Sequence, residues 1–231
     1  MENRGVMTII IDEWMMSLSE KLKTAFGERL LFLGLQGSYQ RDEVREDSDI
    51  DVVIILDVLT MEDLEQYKSI ISTIPDNDKA CGFISGKKEL QKWPKHELFH
   101  FSNDTRSYQG VLNELFPPIE RVDIINGVKS GVSNLYHFCC HNYLYGEDEA
   151  LQEIYKGTFF VLQGAYYLRS NIYIKNKECL LPLLDGVEKQ ILAISSNWDA
   201  YKDATLAYPY DHYKTLLKWC SGIMVEEFTE R

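Results

Sequence analysis

A strand–loop–strand segment in the first quarter of the chain constrains the fold more than any other feature. Apolar residues 30–35 predict a strand that runs into Gly37-Ser38, and β-branched residues predict a second strand from Ile50 to Leu56. A polar loop joins them, and Asp49 and Asp51 lie at the start of the second strand. Because residues i and i+2 of a strand point to the same face, the two carboxylates are predicted to lie side by side.

The same segment predicts a site for a metal and a phosphate-containing ligand. Two adjacent carboxylates repel each other unless a cation lies between them, and their hard oxygen atoms suit Mg²⁺. Gly37 allows a tight turn and the close approach of a ligand, and the following amides and the Ser38 hydroxyl can hold phosphate oxygens. Asp-x-Asp alone is usually only a polar strand end. Its occurrence after a strand–Gly–Ser turn is much more specific.

This pattern resembles a known family. Gly37-Ser38, nine further residues and then Ser48-Asp49-Ile50-Asp51 are similar to the signature of the nucleotidyltransferase superfamily that includes DNA polymerase beta. The spacing and the helical second half resemble the bacterial aminoglycoside nucleotidyltransferases. The resemblance implies that Gly37 and Ser38 contact the triphosphate and that Asp49 and Asp51 coordinate one or two Mg²⁺ ions.

The resemblance also implies a third carboxylate on a later strand beside the first pair. Its candidates in this sequence are Glu97, Asp104 and Asp123. The segment from Trp93 to Phe101 is similar to a stretch of the streptomycin/spectinomycin adenylyltransferases in which a glutamate that opens a strand is metal ligand and catalytic base. We therefore identify Glu97 as the third catalytic and metal-binding residue. Asp104, at the far end of the same predicted strand, is the alternative, although a turn also accounts for it.

Basic residues near the predicted site are candidates for the nucleotide phosphates. By resemblance to the segment before the phosphate-binding lysine of the aminoglycoside enzymes, Lys177 is predicted to bind the nucleotide, and Lys175 fits less closely. A solvated lysine at a helix end is an equally good interpretation of Lys177. Arg41 lies close enough in sequence to meet a phosphate, but an exposed loop arginine is the favoured interpretation.

His137 and His141 are four residues apart on a predicted helix and therefore share a face. A metal-binding pair is one interpretation. The surrounding helix is apolar and aromatic, so packed core histidines are favoured.

Hydrophobic periodicity divides the chain into two domains of an α+β protein. Residues 1–116 are predicted to form a mixed-sheet catalytic domain, and residues 117–231 an all-helical domain that binds substrate and nucleotide. The predicted elements of the first domain are a helix from 8 to 26, strands at 30–35, 50–56, 80–84 and 97–101, and a helix from 61 to 71. After Pro117-Pro118, helices are predicted at 119–144, 150–173, 183–195 and 210–228.

Composition narrows the function classes. The 231 residues carry a net charge of −12, which disfavours binding to DNA but would attract a cationic small molecule. Five cysteines without a C-x-x-C pair predict buried free thiols rather than disulfides or structural zinc. No apolar run of membrane-spanning length and no signal peptide are evident, so a cytoplasmic protein without a membrane partner is expected, as monomer or homodimer.

The sequence thus predicts a Mg²⁺-dependent nucleotidyltransferase with ATP or another NTP as co-substrate. A nucleoside monophosphate, with AMP as the first choice, would pass to a hydroxyl of a small, aminoglycoside-like acceptor, and pyrophosphate would be released. Three alternatives stay open: a minimal enzyme that modifies a protein or RNA partner in the manner of an antitoxin, a nucleotide sensor without turnover, and a helical interaction module.

Overall fold

The computed structural model describes residues 9–228, which fall into two compact units. The first comprises the chain up to Pro94 together with Phe101–Pro118, and the second comprises Lys95–His100 together with the chain from Ile119 onward. The break at Pro118 lies close to the division predicted at residue 116, but Lys95–His100 group with the helical unit. None of the described helices is long and apolar enough to span a bilayer.

A four-stranded mixed sheet forms the first unit. The strands are β1 (Leu30–Gln36), β2 (Ile50–Leu56), β3 (Ala80–Gly86) and β4 (Arg106–Gln109), in the spatial order β3-β2-β1-β4. β1 pairs antiparallel with β2 and β4, whereas β2 and β3 are parallel. The helices of this unit are α1 (Ile11–Phe26), α2 (Gly37–Arg41), α3 (Met61–Ile71) and α4 (Lys87–Lys92). The first three predicted strands are confirmed, as is the α+β class.

One face of β2 is buried against helix α1. Ile50, Val52 and Ile54 point to the same side of the strand and share a core with Trp14 and Met15 of α1. Burial of such side chains typically contributes about 1.5–3 kcal/mol each. Because successive side chains of a strand point to opposite faces, Asp51 lies on the other face of β2, along with the buried Val53 and Ile55.

The strand predicted at 97–101 is wrong. These residues belong to helix α5 (Lys95–Asn103), and the strand that pairs with β1 is β4, a few residues later. Pro94 directly precedes α5, a position where proline's missing N–H costs nothing. Leu98 and Phe99 are both buried although they are adjacent, as a helix permits and a strand with one buried face does not.

The second unit is built from helices around one apolar core. Buried residues of α6, α7, α9 and α11 form this core, Val132, Phe159, Ile191 and Leu216 among them. Its longer helices after α5 are α6 (Arg121–Tyr145), α7 (Leu151–Ser170), α9 (Gly186–Ser196), α10 (Trp198–Ala207) and α11 (Pro209–Val225), with the short α8 (Lys177–Leu180) between α7 and α9. α10 was not predicted from the sequence. The helical second half is confirmed.

Two expectations about buried side chains are wrong. His137 and His141 lie on an exposed face of α6, with their ring centroids 6.1 Å apart, so they are not packed core histidines. All five cysteines are free thiols, but Cys81 and Cys179 are exposed. Apolar neighbours suggested burial of the two histidines, and the general tendency of free thiols to be buried suggested it for the cysteines. A single sequence does not reveal which side of an element faces solvent.

Candidate active site

Asp49 and Asp51 lie where β2 begins. Asp51 is half-buried in the strand, and Asp49 is exposed directly before it. Burial and then the charge of Asp49 raise the pKa of Asp51 above its ordinary value, and the positive charge of Arg41 partly opposes this. The ionised pair is therefore costly until further positive charge arrives, as expected of carboxylates that bind a cation.

Gly37 lies directly against Asp51. A Cβ atom on Gly37 would lie 1.8 Å from Asp51 Oδ2, and Gly37 has a φ of +70°, so both space and backbone conformation require glycine. Gly37 is the first residue of the short helix α2, where the sequence predicted only a turn. The Ser38 hydroxyl follows it and makes no hydrogen bond to another described residue, which leaves it available for a ligand.

The end of β1 is held in place from the β4 side. Gln36 pairs with Asp51 across the antiparallel strands, and its Nε2 donates to the Phe101 carbonyl at 3.0 Å and to Thr105 Oγ1 at 2.7 Å. These bonds hold the end of β1 in place, and Gly37, the next residue, therefore lies against the Asp51 carboxylate. This role of Gln36 was not predicted from the sequence.

The strand on the other side of Asp51 carries no carboxylate. In the parallel β2–β3 pairing the partner of Asp51 is Cys81, which faces the same side of the sheet. No residue of Ala80–Gly86 is acidic. Over residues 9–228, no group of three His, Cys, Asp or Glu side chains is arranged to hold a metal. The donor set that fits a cation is therefore the aspartate pair.

Comparison with known proteins agrees with this geometry. Residues 15–97, which include most of α1, Gly37-Ser38 and both aspartates, match the model of the nucleotidyltransferase domain family. The chain carries a nucleotidyltransferase domain. We class the protein as a transferase on that basis.

Solved structures extend the likeness of fold beyond this domain. The chain is similar to the spectinomycin adenyltransferase AAD(9) from Enterococcus faecialis, whose crystal structure contains ATP and spectinomycin. The TM-score is 0.56 at 12% identity, over 93% of this chain and 99% of that one. No curated protein matches the sequence.

The candidates for a third carboxylate lie outside the strands. Glu97 is the third residue of α5 and belongs to the helical unit. Asp104 directly follows α5 in the chain and is buried, and its Oδ2 lies 3.8 Å from Arg41 Nη1. Asp123 caps α6, where its Oδ2 accepts a hydrogen bond from the Glu120 backbone N–H at 2.8 Å. Capping accounts for Asp123, and the roles of Glu97 and Asp104 stay predictions.

Arg41 is not the exposed loop arginine expected from the sequence. It ends α2, only 16% of its side chain is exposed, and its Nε donates to Glu43 Oε2 at 3.2 Å. The loop after Gly37-Ser38 folds into a helical turn, and this turn brings Arg41 back among the carboxylates of the nucleotidyltransferase domain.

Lys177 begins helix α8 in the helical unit. Its Nζ donates to the Ser195 carbonyl at 3.1 Å and lies 5.6 Å from the centroid of the Phe159 ring. It is therefore held by the protein rather than freely solvated. Its predicted contact with nucleotide stays a prediction.

Proposed function

We propose that this protein is a Mg²⁺-dependent nucleotidyltransferase that moves a nucleoside monophosphate, with ATP as the preferred donor, to a hydroxyl of a small acceptor and releases pyrophosphate. One observation carries this proposal. Gly37 lies so close to the half-buried Asp51 that no side chain fits between them, with Asp49 beside the pair. This arrangement fits a metal-bound triphosphate better than it fits a purely structural turn.

Asp49 and Asp51 would hold the metal. The ion would neutralise charge on the phosphates and on the leaving pyrophosphate. In the reaction, the acceptor hydroxyl oxygen forms a bond to the α-phosphorus while the bond between the α-phosphorus and its bridging oxygen breaks. The electron pair of that bond leaves with pyrophosphate.

Other residues of the chain would bind the nucleotide and move the proton. The triphosphate would lie against the Gly37-Ser38 turn, and the Ser38 hydroxyl would donate to one of its oxygens. Lys177 is our candidate for a further phosphate contact. Glu97 is our candidate for the base that accepts the proton of the acceptor hydroxyl.

A cationic amino-hydroxyl compound is the acceptor class that we propose. The net charge of −12 would attract a positively charged molecule over distance. The similar fold of AAD(9), whose crystals hold ATP and spectinomycin, supports a small acceptor beside ATP. At 12% identity this likeness concerns the fold, and the acceptor itself is to be found by experiment.

The test is pyrophosphate release from each NTP with Mg²⁺ across a panel of aminoglycosides and related compounds. We expect release that requires an acceptor and that falls at least ~100-fold in Asp49→Asn. Asp47→Asn is the matched control, because Asp47 is exposed in the same loop. Equal activity of both variants would refute the role of the aspartate pair.

A nucleotide sensor is a second candidate, favoured by the absence of a carboxylate from β3 beside Asp51. The sensor would bind Mg²⁺·ATP through the same aspartates but release no pyrophosphate with any acceptor. Nucleotide binding that depends on Asp49, together with silence across the panel, would favour this candidate over the enzyme.

A further inference from the structure

Arg41 is enclosed by acidic residues in the nucleotidyltransferase domain. Its Nε lies 3.2 Å from Glu43 Oε2 and its Nη1 lies 3.8 Å from Asp104 Oδ2. Asp104 is itself buried, with 5% of its surface exposed, and therefore depends on nearby positive charge. The guanidinium is thus held by carboxylates of the domain rather than by solvent.

The charge of Arg41 acts on carboxylates beyond its two ion-pair partners. Arg41 lowers the pKa of Asp51, so its field reaches a predicted metal ligand. A cation bound at the aspartates would therefore repel the Arg41 guanidinium and weaken the hold of Glu43 and Asp104 on it.

The position of Arg41 on α2 suits it to phosphate. It follows Ser38 by three residues, and residues three apart on a helical turn lie on the same side. A guanidinium presents a planar fork of N–H donors that binds phosphate oxygens in pairs. Arg41 Nη1 lies 3.8 Å from Asp104 Oδ2, a longer separation than that of a charge-assisted hydrogen bond to phosphate.

We propose that Arg41 is a phosphate-binding residue of this site, whose guanidinium leaves its carboxylate partners for the triphosphate when the nucleotide binds. The inference rests on the proposed function, since it requires metal at Asp49 and Asp51 and nucleotide at Gly37-Ser38. It assigns to Arg41 two opposite effects. Without nucleotide, its charge opposes a metal ion at the aspartates, and with nucleotide it adds to binding.

The experiment measures both effects separately in Arg41→Gln. Mn²⁺ alone is titrated by electron paramagnetic resonance of the free ion, and the non-reacting ATP analogue with an α,β-methylene bridge is titrated by calorimetry in the presence of Mn²⁺. We expect Mn²⁺ alone to bind ~3–10-fold more tightly, because a nearby positive charge is gone. We expect the analogue to bind ~10–100-fold more weakly, because a charge-assisted phosphate contact is lost.

Arg45→Gln is the matched control. Arg45 is exposed in the same loop and forms no ion pair with another described residue, so its removal changes the net charge equally without touching the site. Arg41→Gln leaves buried Asp104 without this positive charge and could unfold the protein. Arg41→Lys is therefore the second variant, because it keeps a positive charge beside Asp104. It should bind Mn²⁺ within about 2-fold of wild type and the analogue more weakly, since lysine lacks the planar fork.

The outcomes separate this inference from the proposed function. If Arg41 and Arg45 variants bind Mn²⁺ and the analogue alike, or if Arg41→Lys retains full affinity for the analogue, the inference is overturned while metal binding at the aspartates stands. If wild-type protein binds no Mn²⁺ that Asp49→Asn removes, the proposed function fails, and the inference with it.

Discussion

The Asp51 carboxylate fills the space that any side chain at position 37 would need, so only glycine fits at that position. Oδ2 of Asp51 lies 1.8 Å from the position that a Cβ atom of residue 37 would take. In Gly37→Ala the new methyl group must displace the Asp51 side chain. We therefore expect Mn²⁺ affinity to fall at least ~10-fold, measured by the resonance of the free ion.

Gly186→Ala separates this collision from backbone strain. Both glycines are the first residue of a helix and have positive φ, +70° for Gly37 and +54° for Gly186, but nothing lies within 4 Å of a Cβ atom at Gly186. Each substitution should cost ~1–2 kcal/mol of unfolding free energy from the left-handed backbone. Equal Mn²⁺ affinity in the two variants would show that Gly37 serves the turn alone.

The charge of Asp51 destabilises the metal-free protein. Burial and Asp49 raise the pKa of Asp51, so the folded state binds its proton more tightly than the unfolded chain does. Protonation of Asp51 therefore stabilises the folded state. This stabilisation is fully present below the ordinary pKa of 3.8 and is lost as pH rises through the raised pKa of the folded protein. Asp51→Asn removes this charge, and we expect it to melt above wild type at neutral pH without metal while it loses Mn²⁺ binding.

Asp47→Asn is the control for that comparison, because Asp47 is exposed in the preceding loop. Its melting temperature should stay close to wild type. A melting temperature of Asp51→Asn at or below that of Asp47→Asn would contradict the cost assigned to the buried charge.

The central strands were predictable because each feature was local. The apolar, β-branched residues of β2 predict the strand, and the alternation of side chains along a strand places Asp51 on the face opposite Ile50 and Val52. The family resemblance added the prediction that a triphosphate binds at Gly37-Ser38. Both steps needed only residues within one strand–loop–strand segment.

The remaining features depend on partners that are distant in sequence. Cys81 lies beside Asp51 on the same face of the sheet because β3 pairs parallel to β2. The Gln36 side chain is fixed by Thr105, which directly precedes β4. The sequence predicts a strand that begins at Glu97, whereas Leu98 and Phe99 are both buried, as adjacent residues of a helix can be. The sequence therefore predicted the position of the two aspartates at the start of β2 but not the residues around them.

A bidentate ion pair outside the site governs the acid stability of the sheet unit. Arg29 donates to both oxygens of Asp63 at 2.8 Å and holds its pKa at about 2, below the ordinary 3.8. The resulting stability is present above pH 3.8 and is lost as pH falls toward 2. In Arg29→Met we expect the acid-unfolding midpoint to move up by roughly half a pH unit, followed by circular dichroism.

Arg106→Met is the control for this shift. Its partner Asp12 has 64% of its side chain exposed, so that ion pair contributes little. If both arginine variants unfold at the same pH, the Arg29–Asp63 pair is not the source of acid stability.

Cys81 marks a position where a third carboxylate can be introduced. It pairs with Asp51 across parallel strands and is exposed, so a longer polar side chain fits there without loss of core packing. Cys81→Glu should raise Mn²⁺ affinity by about 10-fold, because another oxygen ligand reaches the cation. Cys179→Glu, at an exposed cysteine of the helical unit, adds the same charge and should leave the affinity unchanged. An equal gain in both variants would indicate a general effect of charge.

Glu97 and Asp104 are predicted to fail in different ways. If Glu97 accepts the proton of the acceptor, Glu97→Gln lowers kcat by ~100-fold or more and leaves affinity for the methylene-bridged ATP analogue unchanged. Asp104 lies 3.8 Å from Arg41, so Asp104→Asn should instead alter nucleotide affinity through that arginine and leave kcat at saturating nucleotide within about 3-fold. Steady-state kinetics together with calorimetry of the analogue distinguish the two. A loss of kcat confined to Asp104→Asn would transfer the role of base from Glu97 to Asp104.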